Sequence, residues 1–227
     1  MTSATVADIR DAVGRLGWIL LADMPIDAVL QIAGHLGRIV ADPRTGAAVR
    51  ELRPQRLDRA NPNTLSSRYG DGSFPFHTEA AYLPIPPRVV ILYCQHPGSG
   101  RRPTHLLDSS WLIERLTLTD RPGSWVVRAG RPAFLAHVAE RVGTRIVLRY
   151  DAECMFPSGR TSYLEQRQID EFLKSAAATR IQWRPGDLPV IDNARVLHGR
   201  GSSVADDRDR VLKRAMIAEE CRDGMGL

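Results

Sequence analysis

The sequence lacks the features of several protein classes. Its 227 residues contain no internal repeat, no low-complexity tract and no long apolar run; crossing a bilayer takes roughly 18 such residues. Residues 1–17 carry charges where a secretory signal peptide has its apolar stretch. The sequence therefore predicts neither a membrane span nor export. Its length indicates a single domain, residues 1–227.

Cysteine is scarce. The three cysteines, Cys94, Cys154 and Cys221, are odd in number, scattered, and form no Cys-x-x-Cys pair. This excludes a disulfide framework and a cysteine-rich zinc site. It fits the reducing conditions of the cytoplasm, where we expect the protein to act.

Lysine is nearly absent, although the chain is basic. The net charge is +5, and of 31 lysines and arginines only Lys174 and Lys213 are lysine. The arginines are spread along the chain, without a block of like charge, a recognisable nucleic-acid module or an interleaved aromatic stripe. The charge therefore indicates an anionic small molecule as partner, and not a nucleic acid.

The hydrophobic pattern predicts a mainly β fold with flanking helices, in the α+β class. Apolar residues at helical spacing predict helices at 6–16, after Pro25, and at 163–176. Because strands and helices do not alternate, a β-sandwich or jelly roll is favoured over a βαβ sheet. Short apolar runs between glycine and proline clusters predict strands at 18–22, 89–94, 105–107, 125–127, 146–150, 181–183, 190–192 and 211–218.

A candidate metal site begins with His77 and Glu79. Alternate side chains of a strand share a face, so these two residues could reach one ion together. With a second imidazole they would form a 2-His-1-carboxylate site, which suits Fe(II) and leaves three coordination positions open. A histidine two residues before an acid is common by chance. Taken alone, the pair is better explained as a hydrogen-bonded strand histidine beside a solvated acid.

A second segment completes the candidate site. Residues 187–198 run from a turn through an apolar strand to His198, and Arg210 and Arg214 follow on one face of a predicted strand. Arginines that point into an apolar interior are costly unless each meets an anion. A bidentate pair with a carboxylate is the natural solution. For Arg214, an internal salt bridge with Asp or Glu is the alternative.

Several segments match one known family in order and spacing. They are residues 76–82, 86–88, 100–108, 185–193 and 198–200, together with Arg210 and Arg214. This set resembles the clavaminate synthase-like branch of the TauD/TfdA family of Fe(II)/2-oxoglutarate oxygenases. The resemblance covers most of the chain. It implies a double-stranded β-helix, or jelly roll, and an oxygenase that uses O2 to oxidise an unactivated C–H bond.

The resemblance also implies ligand roles. His77, Glu79 and His198 would hold iron, and Thr104 and Arg210 would bind the distal carboxylate of 2-oxoglutarate. Glu79 stands where TauD-type members have Asp, which points to the amino-acid oxygenases of the clavaminate synthase group. A halogenase would have Gly or Ala there, so Glu79 argues against one.

The implied substrate is an amino acid or amino-acid derivative of specialised metabolism, either free or tethered to a carrier. Asp151 and Glu153 match a pair of acids that can hold the guanidinium or amine of a basic amino acid. Arg214 matches a position that contacts the substrate's anionic group. Surface acids paired with arginines are the alternative for Asp151 and Glu153. Hydroxylation, desaturation and cyclisation all stay open, because each begins with the same hydrogen abstraction.

The chain departs from the family pattern in length. It is shorter than typical members between the metal motifs, so we expect substrate-recognising insertions to be small or absent. Two other functions fit the same ligands. One is a zinc-dependent hydrolase or isomerase on the same barrel; the other is a non-catalytic binding protein.

Overall fold

The computed structural model describes residues 4–61, 64–118, 121–129, 132–142, 145–203 and 207–218. The helices are α1 (Val6–Leu16), α2 (Ala28–Leu36), α3 (Leu65–Tyr69), α4 (Ser110–Thr117) and α5 (Arg160–Ser175), with a 3₁₀ turn at Leu57–Arg59. The strands are β1 (Trp18–Leu21), β2 (Arg38–Val40), β3 (Val49–Leu52), β4 (Phe74–His77), β5 (Val89–His96), β6 (Thr104–Asp108), β7 (Trp125–Val127), β8 (Phe134–Ala136), β9 (Ala139–Val142), β10 (Arg145–Leu148), β11 (Met155–Pro157), β12 (Thr179–Ile181), β13 (Leu188–Asp192), β14 (Val196–Arg200) and β15 (Val211–Ala218).

Two antiparallel sheets form the centre of the molecule. The larger has the strand order β1-β13-β5-β15-β2, with β3 also paired to β15, and the smaller has the order β12-β6-β14-β4. One buried apolar cluster contains Leu92 of β5 and Leu212 of β15 from the larger sheet, and Leu106 of β6 and Val196 of β14 from the smaller one. The two sheets therefore pack face to face as a sandwich.

Helices α1 and α2 cover the outer face of the larger sheet. Side chains alternate along β5, so Leu92 faces the smaller sheet while Ile91 and Tyr93 join the cluster with the helices. Thr5 begins α1 with a capping box, in which its hydroxyl accepts from the Asp8 amide and the Asp8 carboxylate accepts from the Thr5 amide. This capping fixes where the helix starts.

A third layer packs on the other side of the smaller sheet. There, Leu107 of β6 and Leu197 of β14 contact a cluster that includes Trp125 of β7 and Phe172 of α5. The buried Glu165 carboxylate accepts from the Trp125 indole N–H at 2.7 Å, so a charged group ties α5 to β7. The smaller sheet is thus covered on both faces.

The predicted helices and strands are present, except that the strand expected at 181–183 lies earlier in the chain, as β12 at Thr179–Ile181. The sequence pattern did not predict β2, β3, β8, β9, β11, β14, α3 or α4, and His198, expected just beyond a strand, lies within β14. These elements are short, with three to eight residues each. Segments this short give little local periodicity. Cys94 and Cys154 are buried free thiols, while Cys221 lies outside the described residues.

Among the described residues, no helix combines the length and apolar character needed to cross a bilayer.

The turn after β5 brings the backbone of Gly98 close to the start of β15. Gly98 has φ +83°, and a Cβ at this position would lie 2.7 Å from the Arg210 Cβ and 2.2 Å from an Asp207 carboxylate oxygen. Gly46 has a similar φ of +70° but open space around it. Alanine at Gly46 would meet only the cost of the left-handed backbone, whereas alanine at Gly98 would meet this cost and a clash as well.

We expect Gly98→Ala to lower the free energy of unfolding more than Gly46→Ala. The left-handed backbone conformation alone costs about 1–3 kcal/mol for a residue with a side chain, and Gly98→Ala adds the clash with Asp207 and Arg210. Urea denaturation of both variants measures the difference. An equal loss of unfolding free energy in the two variants would show that the neighbours of Gly98 move aside without cost.

Candidate active site

His77 and His198 lie opposite each other on paired strands. In the register of β4 with β14, His198 is the direct partner of His77. Their ring centroids are 4.4 Å apart, and both residues are buried. Strand pairing therefore brings together two imidazoles that are far apart in the sequence.

Glu79 reaches the same point from beyond the strand. The sequence placed it on a strand face with His77, but β4 ends at His77. The Glu79 amide donates to the Asn193 side-chain oxygen at 2.6 Å, and the Asn193 amide nitrogen donates back to the Glu79 carbonyl at 3.1 Å. This two-way bond holds the Glu79 backbone, and a Glu79 carboxylate oxygen lies 3.8 Å from His198 Nε2.

The two imidazoles are suited to donate lone pairs. His77 Nδ1 lies 2.9 Å from the Pro75 carbonyl, so this nitrogen carries the proton and Nε2 is free to act as a ligand. Burial and the neighbouring His77 lower the pKa of His198 to about 3, so this ring is neutral. The buried Nδ1 of His198 has no partner among the described residues.

The Glu79 carboxylate is ionised and bound by Arg214. Burial raises its pKa, but the Arg214 guanidinium and the two imidazoles outweigh burial and lower it to about 2. Arg214 Nη1 donates to Glu79 Oε1 at 2.6 Å, and Arg214 Nη2 donates to Asp42 Oδ2 at 2.6 Å. Arg214 thus has the internal acidic partners that the sequence analysis left as an alternative.

Within the described residues, no three His, Cys, Asp or Glu side chains form a group that could hold a metal ion as they stand. Arg214 binds one oxygen of the Glu79 carboxylate, Oε1, and the other, Oε2, faces His198 Nε2 at 3.8 Å. The two imidazoles and this carboxylate would be the donors available to an ion here.

Thr104 and Arg210 form a second part of the site. The Thr104 hydroxyl accepts from the Trp183 indole N–H at 3.1 Å, which leaves its own proton available to an acceptor. The Arg210 guanidinium lies 6.0 Å from the centre of the Trp183 ring. Its side chain is 5% exposed, and its Nε has no partner among the described residues.

Arg210 is suited to bind an anion. Burial lowers its pKa to about 10, so the side chain is still charged near neutral pH. A buried cation without a full set of acceptors is costly. A carboxylate from a ligand would remove that cost, and the Thr104 hydroxyl would add one more hydrogen bond.

Glu153 already binds a guanidinium, that of Arg68. Arg68 Nη1 lies 2.5 Å from Glu153 Oε2, and the Tyr69 hydroxyl donates to Glu153 Oε1. Asp151 is buried and accepts from the Glu153 amide at 2.9 Å. Helix α3 therefore lies against the acid pair.

A cavity of about 270 Å³ joins all of these groups. All eight site residues named from the sequence line it: His77, Glu79, Thr104, Asp151, Glu153, His198, Arg210 and Arg214.

Sequence reasoning missed several residues that complete the site. Asp42 and Trp183 act through other side chains, and Arg68 and Tyr69 lie on a helix too short to give a periodic signal. Asn193 stood within a family-matching segment, and this was the one signal that pointed to it.

Known proteins similar to this chain agree with the motifs. Residues 126–216 match the family described as taurine catabolism dioxygenase TauD, TfdA family. Clavaminate synthase 2 of Streptomyces clavuligerus is 30% identical over 173 residues, which are 67% of this chain and 52% of that protein. The chain thus spans about half the length of this curated relative.

Solved structures show the same fold. Asparagine oxygenase in complex with Fe(II), 2S,3S-3-hydroxyasparagine and succinate has a TM-score of 0.74 at 21% identity, over 94% of this chain and 77% of that one. The non-heme iron oxygenase OrfP in complex with Fe and alpha-ketoglutaric acid also has a TM-score of 0.74, at 18% identity over 96% and 80%. PvcB of Pseudomonas aeruginosa has a TM-score of 0.62 at 21% identity, over 94% and 80%.

The predicted fold is therefore confirmed: the chain is a mainly β jelly roll with flanking helices. The resemblance predicted from its motifs is confirmed as well, since the chain is similar to the TauD/TfdA family over residues 126–216 and to clavaminate synthase 2 over 173 residues.

Proposed function

We propose that this chain is an Fe(II)- and 2-oxoglutarate-dependent oxygenase that oxidises an unactivated C–H bond of a small molecule. One observation carries the proposal. Two imidazoles and an ionised carboxylate share a cavity with a buried guanidinium whose Nε has no acceptor among the described residues. This combination suits a divalent metal beside an anionic co-substrate.

His77, Glu79 and His198 would hold the iron. Their donor set of two imidazoles and one carboxylate is typical of Fe(II) oxygenases and leaves positions open for other ligands. When bound, Fe(II) with 2-oxoglutarate supplies the activation of O2 that C–H oxidation needs. The protein contributes the tautomer of His77, fixed by Pro75, and the backbone position of Glu79, fixed by Asn193.

Arg210 and Thr104 would bind the distal carboxylate of 2-oxoglutarate. The Arg210 guanidinium would pair with it, and the Thr104 hydroxyl would donate its proton to it while accepting from Trp183. Leu92 and Leu212 also line the cavity and keep this end apolar. A charged hydrogen bond is strongest where water is excluded.

An amino acid or amino-acid derivative is the proposed substrate class. Asparagine oxygenase binds 3-hydroxyasparagine, and OrfP binds (3S)-hydroxy-L-Arg. In this chain, Arg214 would contact the anionic group of the substrate, and Asp151 and Glu153 would contact a cationic end. The cationic end of a basic substrate would take the place of the Arg68 guanidinium at Glu153, because the same carboxylate can pair with either cation. The substrate could be free or carrier-tethered.

We infer that residues 1–227 form one oxygenase domain that acts in the cytoplasm. The buried free thiols of Cys94 and Cys154 support a reducing compartment.

Arg210→Ala is expected to weaken 2-oxoglutarate binding. Loss of a buried carboxylate partner costs about 2–5 kcal/mol, which raises the dissociation constant about 30-fold or more. Anaerobic titration of the Fe(II)-loaded protein, followed by the visible charge-transfer band, measures this. Arg195→Ala is the matched control, since Arg195 pairs with Asp108 and does not line the cavity. Unchanged affinity in Arg210→Ala would refute the assignment.

His198→Ala is expected to abolish iron-dependent formation of succinate, because one of three metal ligands is lost. Formation of succinate from 2-oxoglutarate, tested with a panel of free amino acids, measures turnover. His96→Ala is the control, as His96 is exposed on β5 and does not line the cavity. A wild-type chain that bound zinc and formed no succinate with iron would favour the hydrolase. Ligand binding without consumption of 2-oxoglutarate would favour the binding protein.

A further inference from the structure

Four side chains of alternating charge form a row that ends at Glu79. Arg50 Nη1 donates to Asp42 Oδ2 at 3.2 Å, and Arg214 Nη2 donates to the same oxygen at 2.6 Å. Arg214 Nη1 then donates to Glu79 Oε1 at 2.6 Å. Arg214 therefore lies between two carboxylates, one of which is the proposed metal ligand.

Asp42 is held firmly by its own backbone surroundings. Its other oxygen, Oδ1, accepts from the amides of Arg44 at 3.0 Å and Thr45 at 3.1 Å, and the side chain is almost fully buried. The Asp42 amide donates to the Ala47 carbonyl at 2.9 Å, which closes the turn between β2 and β3. Both strands pair with β15, the strand that carries Arg214.

The geometry sets up a competition for Arg214. A guanidinium that faces a single carboxylate tends to bind both of its oxygens through two parallel hydrogen bonds. Here one terminal nitrogen of Arg214 donates a hydrogen bond to Asp42, and the other donates one to Glu79. As a result, Glu79 Oε2 is left facing His198, with Nε2 at 3.8 Å.

We propose that Asp42 is a positioning residue that keeps the Glu79 carboxylate available to the metal. By binding Nη2, Asp42 prevents Arg214 from pairing with both oxygens of Glu79. The inference rests on the proposed function, because Glu79 needs a free oxygen only if it is a metal ligand. Asp42 itself does not line the cavity, and its effect passes through Arg214.

Asp42→Asn tests this directly. The amide keeps the size of the side chain and can still accept from the Arg44 and Thr45 amides, but it no longer pairs with Arg214 as a charge. Arg214 then turns both nitrogens to Glu79. We expect about 10- to 100-fold weaker binding of Fe(II), measured by anaerobic calorimetric titration at neutral pH without 2-oxoglutarate or substrate. Asp108→Asn is the matched control, because Asp108 pairs with Arg195 outside the cavity.

Removal of Arg214 provides the second arm. Arg214→Met should bind Fe(II) as tightly as the wild-type protein or more tightly, because the group that competes for Glu79 is gone. The double variant Asp42→Asn, Arg214→Met should regain the affinity that Asp42→Asn loses. A purely structural role of Asp42 would not give this rescue.

The outcomes separate the two proposals. If the wild-type protein binds no Fe(II), the proposed function fails and this inference fails with it. If the wild type binds Fe(II) and Asp42→Asn binds it equally well, only the inference is wrong. If circular dichroism shows that Asp42→Asn does not fold, Arg214→Met decides: a loss of Fe(II) affinity in that variant overturns the inference.

Discussion

The pairing of β4 with β14 is the contact on which the candidate site depends. It places His77 and His198 directly opposite each other and fixes which face of the smaller sheet carries imidazoles. The apolar cluster between the sheets holds β14 in this register, since a shift by one residue would move His198 to the other face. Packing and the proposed chemistry are therefore coupled through one strand pair.

The pairing of charged side chains is the second constraint on the candidate site. The cavity is lined by several arginines and acids, and most acids already have an arginine or lysine partner: Glu79 with Arg214, Glu153 with Arg68, and Glu51 with Lys213. The buried Nε atoms of Arg210 and Arg214 both have no acceptor among the described residues, but Arg214 pairs with two carboxylates through its terminal nitrogens. The Arg210 guanidinium is stable only with a ligand anion or at a cost to folding. The proposed anion-binding arginine and the two imidazoles therefore line the same cavity.

The sequence predicted the parts of the fold that have a local signal. The apolar runs of β5, β13 and β15 and the helical periodicity of α1 and α5 follow directly from residue spacing. Thr104, Arg210 and the two histidines could be named because a family pattern joins them. Asp42 could not, because it meets Arg214 across 172 residues of sequence and no local pattern encodes that contact. Strand alternation predicted Glu79 on the same strand as His77. Glu79 instead lies beyond the end of β4, where Asn193 holds its backbone.

The position of iron in the protein tests the central claim most directly. Crystals grown without oxygen, with Fe(II) and 2-oxoglutarate, would reveal it by anomalous scattering. The account predicts one iron within bonding distance of a nitrogen from each of His77 and His198 and of one Glu79 oxygen, with a 2-oxoglutarate carboxylate at Arg210. Iron bound elsewhere, or at this place without one of those three side chains, would contradict it.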